Sequence, residues 1–572
     1  MNFRRALILT CTALFALPAF AETELEWGGR LQSDVRGRIE SKEVGKFYDT
    51  RTLNTGIVRN ENIFKLNLGA YGNRFQGIVD IDFVWLGRTP DVSQLADVSN
   101  RNVVEPFRIE AHSVYFEGTD VFVDGLDLRI GQQIVNWGVG DQFNPTNNLN
   151  ADDLEDPLLF GVQQGNLMAK ADYSFSDSTT FSGVLVPIFR PALLPRTGDL
   201  ALARLDRLPH ADADLRHRIR VDQAVTDNGL LGDGSRYPTV SRNVNLIMPS
   251  TSFQNMQFAF RFATTIAEQD IALSYYQGRN DFPVAHANVT TQVDQPTCNP
   301  NDPTDCIDGL LLTDSDLIYP KMKVLGLNLS GEKVIGYRLE AALIFPQEVP
   351  IRMYQKDVVV AGVASPFEYN YNLENNAKPL VVEGTPFLKW VVGIDYTLTE
   401  SIYVNAQWVH GLVDEFGAGS FFQEGYLVRN GGVLDEEIIN PLDCRGLDGL
   451  YARANECAKE TLRPRIGDYA VLGLDYNFAS GAGLLRLFVM TDVTPMYEEK
   501  YNVSSGKRER RTINPLSAEN FSMVIFPELN YKFGEGFELS GGALVQLGDE
   551  DSKFGEAAAG GSIIWTRGRF SF

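Results

Sequence analysis

The chain is 572 residues long and carries 74 Asp and Glu against 51 Lys and Arg, a formal charge of −23 at pH 7. That balance excludes a nucleic-acid binder, which needs a basic footprint against the phosphates. Beyond the first residues no apolar run approaches the ~20 residues of a membrane helix. Two classes remain: a secreted soluble protein, or a barrel whose strands hide their hydrophobicity in alternation.

Taken in order, the basic Asn2-Phe3-Arg4-Arg5, the apolar Ala6 to Leu17 and the small-x-small Ala19-Phe20-Ala21 predict a signal peptide over 1–21, with the mature chain starting at Glu22. Cys11 sits in the apolar run without the small residues that a lipoprotein cleavage site wants before it. The first mature segment then alternates. Leu25, Trp27, Gly29, Leu31, Val35 and Ile39 share one parity, and Glu24, Glu26, Arg30, Gln32, Asp34, Arg36 and Arg38 the other. A period of two with charges filling one face predicts a strand with an apolar and a wet side. It is longer than the usual globular strand of about 5–6 residues.

The pattern recurs near 61–72, 74–87, 107–117, 126–137, 166–176, 179–189, 256–266, 269–279, 319–330, 334–345, 384–398, 401–411, 466–478, 482–494, 518–533, 536–547 and 560–572. Short turns such as Gly72-Asn73-Arg74, Asp177-Ser178 and Gly534-Glu535 alternate with long polar loops rich in Gly, Pro and Asn. With both termini in the periplasm, every short turn falls on the periplasmic side and every long loop outside, as in bacterial outer-membrane barrels. The expected fold over 22–572 is therefore all-β: a transmembrane antiparallel up-and-down β-barrel of about 18 strands, with 16 as the alternative. Tyr173 and Phe175, Tyr396 and Leu398, Tyr476 and Phe478, and Tyr531 and Phe533 each end a strand before a short turn, which predicts an interfacial girdle. The terminal Phe572, with Phe570 two residues earlier, is similar to the signal by which the barrel assembly machinery recognises such chains for insertion.

The stretch 126–175 is the most distinctive. A strand leads into Asn136-Trp137-Gly138, and an Asn/Asp-loaded loop follows with Asp141, Asn144, Asn147, Asn148, Asn150, Asp152, Asp153 and Asp156. So polar a loop cannot lie in an apolar core. Over 138–165 it is expected to reach into the lumen, with Asn136, Trp137, Asp141, Asn144, Asn147, Asp152, Asp153 and Asp156 as constriction candidates. A ring of carboxylates there would favour cations; the alternative is an acidic surface loop. Trp137 suits either an outer girdle or an anchor for the loop. The 190–255 loop offers Arg204 and Arg207 on a helix-like Leu spacing, either facing the acidic loop across the lumen or touching lipopolysaccharide phosphates. Lys507-Arg508-Glu509-Arg510-Arg511 invites the lipopolysaccharide reading more strongly.

Gly131-Gln132-Gln133, Asn136-Trp137-Gly138 and Phe143-Asn144-Pro145 together resemble a G-[RQ]-Q…W-G…N-P signature of proteobacterial outer-membrane barrels. These include alginate-export-type porins and a related family of unknown function. The resemblance covers some 50 residues, and Arg is commoner than Gln at the position of Gln132. It implies a porin-like barrel and, through the second family, work beside an inner-membrane resistance-nodulation-division transporter and a periplasmic carrier on lipid or hydrophobic solutes.

Four cysteines remain after the signal. Cys298 with Cys306 and Cys444 with Cys457 are the economical disulfides in an oxidising compartment; a metal site would want a CxxC spacing or a neighbouring His. The five histidines are scattered, with no HExxH and no G-x-S-x-G. The expectation is a non-enzymatic, cofactor-free channel for passive uptake or export, in contact with outer-membrane lipid and lipopolysaccharide and with no nucleic-acid partner. The alternative is a plugged barrel that handles lipid or hydrophobic solute.

Overall fold

Alternation in the sequence becomes the two faces of one closed sheet. The computed structural model describes residues 23–44, 51–87, 101–156, 158, 161–195, 197, 239–294, 310–350, 384–417, 466–502 and 507–572 apart from 519, 550 and 551, with short strands at 297–299, 302–307, 352–356, 359–360, 363–364, 381–382, 427–429, 432–433 and 459–464. The signal peptide, Arg204, Arg207, Cys444 and Cys457 lie outside the described residues.

Eighteen antiparallel strands form the ring. They are β1 Glu24–Arg38, β2 Gly56–Tyr71, β3 Phe75–Leu86, β4 Phe107–Gly118, β5 Leu126–Gln133, β6 Asn166–Ser176, β7 Thr179–Val186, β8 Gln257–Ile266 and β9 Gln269–Arg279, then β10 Lys321–Glu332, β11 Gly336–Pro346, β12 Phe387–Thr399, β13 Ile402–His410, β14 Asp468–Phe478, β15 Gly483–Asp492, β16 Ser522–Lys532, β17 Phe537–Gly548 and β18 Ile563–Ser571. Each pairs with the next, and β18 closes onto β1 from Arg30↔Ser571 to Arg38↔Ile563. Closure leaves no strand edge. The count is 18 rather than 16, and all the predicted strands are present.

Connections sort by end. Residues 72–74, 177–178, 267–268 and 400–401 are tight turns at the end that also holds both termini, while 39–55, 134–165, 280–320 and 411–467 are long links at the other. Along the outer wall Leu31, Phe116, Ile130, Leu273, Leu325, Ile394 and Leu472 are each exposed, an apolar belt that only lipid can cover. Tyr173, Phe175, Tyr396, Tyr476 and Phe533 are exposed at the short-turn end. Their rings touch along and across strands, as in Tyr173 with Phe175 at 4.9 Å and Phe478 with Tyr531 at 6.4 Å. The terminal Phe572 exchanges backbone hydrogen bonds with Gly29 at 3.0 and 3.1 Å and stacks on Phe64.

The inner wall divides by height. Toward the short-turn end it is charged and accessible to water: side-chain exposures are 29% for Arg30, 28% for Asp80, 31% for His112 and 46% for Arg486. Toward the long-loop end it is apolar and buried along β6 to β18, with Met168, Val184, Ala259, Met322, Val324 and Ile344 in one cluster and Tyr469, Val471, Met490, Val524 and Leu544 in another, while β1, β2 and β4 carry Asp34, Arg36, Arg59, Glu61 and Arg108 there.

One expectation fails. β5 ends at Gln133, not near 137, because Asn136 and Trp137 leave the wall. Trp137 is 5% exposed and packs in the inner cluster, so it is no part of an outer girdle. The Gly of the signature has a backbone reason. Gly131 sits at φ 140°, and a Cβ there would lie 2.3 Å from Val114 O. The short strands 297–299 and 302–307 set Cys298 opposite Cys306 in register.

Gly131→Ala is expected to destabilise the barrel by about 1–3 kcal/mol, since the side chain meets both a left-handed backbone and its neighbour's carbonyl. A lower urea midpoint of the heat-modifiable form checks it; an unchanged midpoint contradicts it. Non-reducing peptide mapping is expected to recover Cys298 and Cys306 in one linked fragment, and free thiols at both would remove the disulfide.

Candidate functional site

The link from β5 to β6, residues 134–165, turns inward and is held by its own carboxamides. Asn150 is buried; it donates to the carbonyls of Gln133 (2.9 Å) and Gln164 (2.8 Å) and accepts the Val135 N–H (2.8 Å). Asn147 accepts the N–H groups of Trp137 (2.6 Å) and Gly138 (3.2 Å), and its amide reaches Asn136 at 3.3 Å. Asn166 donates to Leu149 O at 3.0 Å. Where a strand would pair backbone with backbone, these side chains pair the loop's backbone instead. Much of the Asn content is thus internal scaffolding.

From there the loop reaches the far wall. Glu340 of β11, 1% exposed, accepts the N–H groups of Val139 (2.8 Å) and Gly140 (3.2 Å) on one oxygen and both the N–H and hydroxyl of Thr146 (2.7 Å each) on the other. Asn328 of β10 donates to Trp137 O. Asp141 is grasped by Arg338 of β11, Asn405 (2.6 Å) and Gln407 (3.1 Å) of β13. Approach this close needs Gly326 in β10, where a Cβ would come within 2.8 Å of Thr146. Trp137, Val135 and Leu149 complete the anchor by packing into the apolar inner wall.

The returning half is clamped to β1. Arg36, 3% exposed, grips both oxygens of Asp156 and donates to Asp34 at 2.7 Å, and Arg567 of β18 holds Asp34 at 2.8 Å. Between these anchors the acidic run Asp153–Asp156 faces a basic patch. Glu155 lies 3.9 Å from both Arg59 of β2 and Arg108 of β4, and these two share Glu61 at 2.6 Å. Arg108 also holds Glu110, which is 37% exposed. Burial alone would raise Asp156; the hydrogen bonds and charge of Arg36 outweigh it and hold the carboxyl below its usual range. Asp153 has no such partner: burial, reinforced by Glu155 and Glu110, pushes it up. Asp141 is also raised by burial, against the pull of Arg338.

The structure therefore brings Asp141, Asn144, Asn147, Asp152, Asp153 and Asp156 together on one inward loop, and sets Asn136 exposed and Trp137 buried at its root. Asp141 and Asp156 are neutralised by arginines, so the four aspartates do not make a free carboxylate ring. Of the 190–255 loop, residues 191–193 are tied to the inward loop: Leu193 N donates to Asp152 O at 2.9 Å, and Leu154 N to Leu193 O at 2.8 Å. Sequence reasoning missed Glu340, Arg338, Arg36, Glu155 and Arg108. The signal available for Glu340 was its inward parity with Arg338 in a strand otherwise apolar on that face.

The chain matches no family model, and no curated protein matches it in sequence. Among solved structures it is similar to Acinetobacter baumannii OccAB3, with 8% identity over 96% of this chain and 99% of that one and a TM-score of 0.40. It is also similar to a BenF-like porin from Pseudomonas fluorescens Pf-5 (8%, 96% and 98%, 0.38) and to Salmonella typhi OmpF (7%, 96% and 97%, 0.33). Identity and superposition this low lend the chain neither a solute nor a partner.

Glu340→Ala removes four acceptor contacts at once, and hydrogen bonds to a charged group contribute about 1.5–3 kcal/mol each before relaxation. The expected result is hydrogen exchange at Val139, Gly140 and Thr146 at least ~10-fold faster, with the wall strands unchanged. Unaltered protection of these three amides would mean that the loop is held elsewhere.

Proposed function

We propose that the protein is an integral outer-membrane channel for passive passage of a solute, narrowed by the 134–165 loop. The observation that carries this reading is the two-sided clamping of that loop across the bore, on Glu340 and on Arg36, above a wall of water-accessible charges. The constriction lies beside the charged cluster that Asp153 and Glu155 of the loop form with Arg59, Arg108 and Glu110 of the wall. Opposite charges lining a narrow aqueous path create a transverse field. Such a field favours hydrated polar solutes over apolar ones of equal size. Passage in this reading is passive, so the concentration gradient sets its direction. Long loops face outward in this reading, with Lys507 to Arg511 against lipopolysaccharide, and Phe570 and Phe572 serve the barrel assembly machinery.

A second reading draws on the apolar inner wall of the long-loop half. A barrel filled there by Phe143, Phe554 and Leu412 fits a plugged carrier of lipid or hydrophobic solute working with an inner-membrane transporter and a periplasmic carrier, as the G-[RQ]-Q…W-G…N-P resemblance implies.

Single-channel recording of the refolded protein in a planar bilayer separates the two. A channel gives steady conductance that rises several-fold when residues 141–156 are replaced by a short Gly-Ser link. A barrel that is folded and heat-modifiable but silent, and opens only after that replacement, supports the plugged reading and removes the open one.

A further inference from the structure

The lipid-facing side of the wall carries one cationic facet. Of the Lys and Arg in the eighteen strands, all but three take the inward parity; Arg279 of β9 and Lys321 and Lys323 of β10 take the outward one. The three are neighbours. The register sets Arg279 directly opposite Lys321 and Gln277 opposite Lys323, and residues two apart along a strand lie about 7 Å from each other.

Lys321 and Lys323 are exposed, and Arg279 is half-buried. Arg279 donates to Tyr319 O and Asn255 Oδ1, both at 2.6 Å, and Lys321 reaches Gln254 O at 3.4 Å. Lys323 has no hydrogen-bond or ion-pair partner among the described residues. None of the three holds a carboxylate, whereas Arg36, Arg338 and Arg486 of the inner wall each do. Like charges opposite one another across two strands repel, so an anion lying between them stabilises the facet.

Height and surroundings say which anion. Lys323 is the third residue from the outer end of its strand, as the exposed Trp408 is in β13, and Trp marks the level of the lipid headgroups. Directly below, the outward row of β10 continues as Leu325 and Leu327, both exposed. Leu343 of β11 stands opposite Leu325 and Leu273 of β9 opposite Leu327, and these are exposed as well. Phe345 lies opposite Lys323 and is exposed. Three cations around one point suit a phosphate, with a charge of about −1.5 to −2, better than a carboxylate. A cationic head on an apolar column matches a phosphate above acyl chains.

We propose that this facet binds the phosphorylated, acylated glycolipid of the outer leaflet, with one phosphate meeting Arg279, Lys321 and Lys323. One acyl chain then lies along Leu325, Leu327 and Leu273. The site rests on the outer-membrane location and not on conduction. It is separate from Lys507 to Arg511, which belong to an outer link and not to the wall.

The test uses the refolded full chain in detergent, read by native mass spectrometry. It is titrated with diphosphorylated lipid A, with the same lipid stripped of its phosphates, and with inorganic phosphate. One lipid A is expected to bind, at least ~10-fold more tightly than the stripped lipid, with no binding of inorganic phosphate at the same concentrations. Lys321→Gln/Lys323→Gln is expected to lower the affinity for lipid A by ~10-fold or more and to leave the stripped lipid unaffected. Heat-modifiable migration confirms that the variant is folded, and the comparison of the two lipids on the unaltered chain stands without it. Equal affinity for the two lipids, undiminished lipid A binding by the folded variant, or no lipid bound overturns the site. Inorganic phosphate that binds as tightly as lipid A overturns its assignment to a lipid. Membrane fractionation of expressing cells keeps the two readings apart. A chain found in the outer membrane that ignores lipid A loses the site alone, and a chain found elsewhere loses the location on which the site rests.

Discussion

The inward loop depends on one buried carboxylate. Burying Glu340 unpaired would cost several kcal/mol. Three backbone N–H groups and a hydroxyl of the loop offset that cost, and the same contacts satisfy loop donors that no strand partner could reach. Each side makes the other tolerable. An empty bore would leave Glu340 to water, and a loop outside the bore would leave its amides without acceptors. The strand register that points Glu340 inward thereby fixes how deep the loop sits, and the Arg36–Asp156 pair fixes its return.

This dependence explains why the inner wall changes character along its height. Below the loop the wall meets water, and its charges form ladders of ion pairs that remain partly exposed. Exposed pairs of this sort contribute little to stability, about 0–1 kcal/mol each; they set a field instead. Around the loop, inward residues of β6 to β18 meet other protein, and these strands switch to Met, Val, Ile and Leu. Strands thus carry apolar side chains on both faces over their outer part, which weakens the alternation where loops fill the bore.

The architecture was legible because a barrel writes its faces into parity and its two ends into loop length. Both signals are local and repeat over eighteen strands, so an error in one boundary does not spread. The loop's inward path was legible only as chemistry: Asp and Asn in that number cannot sit in lipid or an apolar core. Which residues receive it was not legible. Glu340, Asn328 and Gln407 lie about 190–265 positions from their loop partners, and a single strand's pattern marks them as inward without saying what they meet. Asn147 was read as a candidate to face a solute, yet it faces the loop's own backbone, because an irregular segment must find acceptors and donors inside itself.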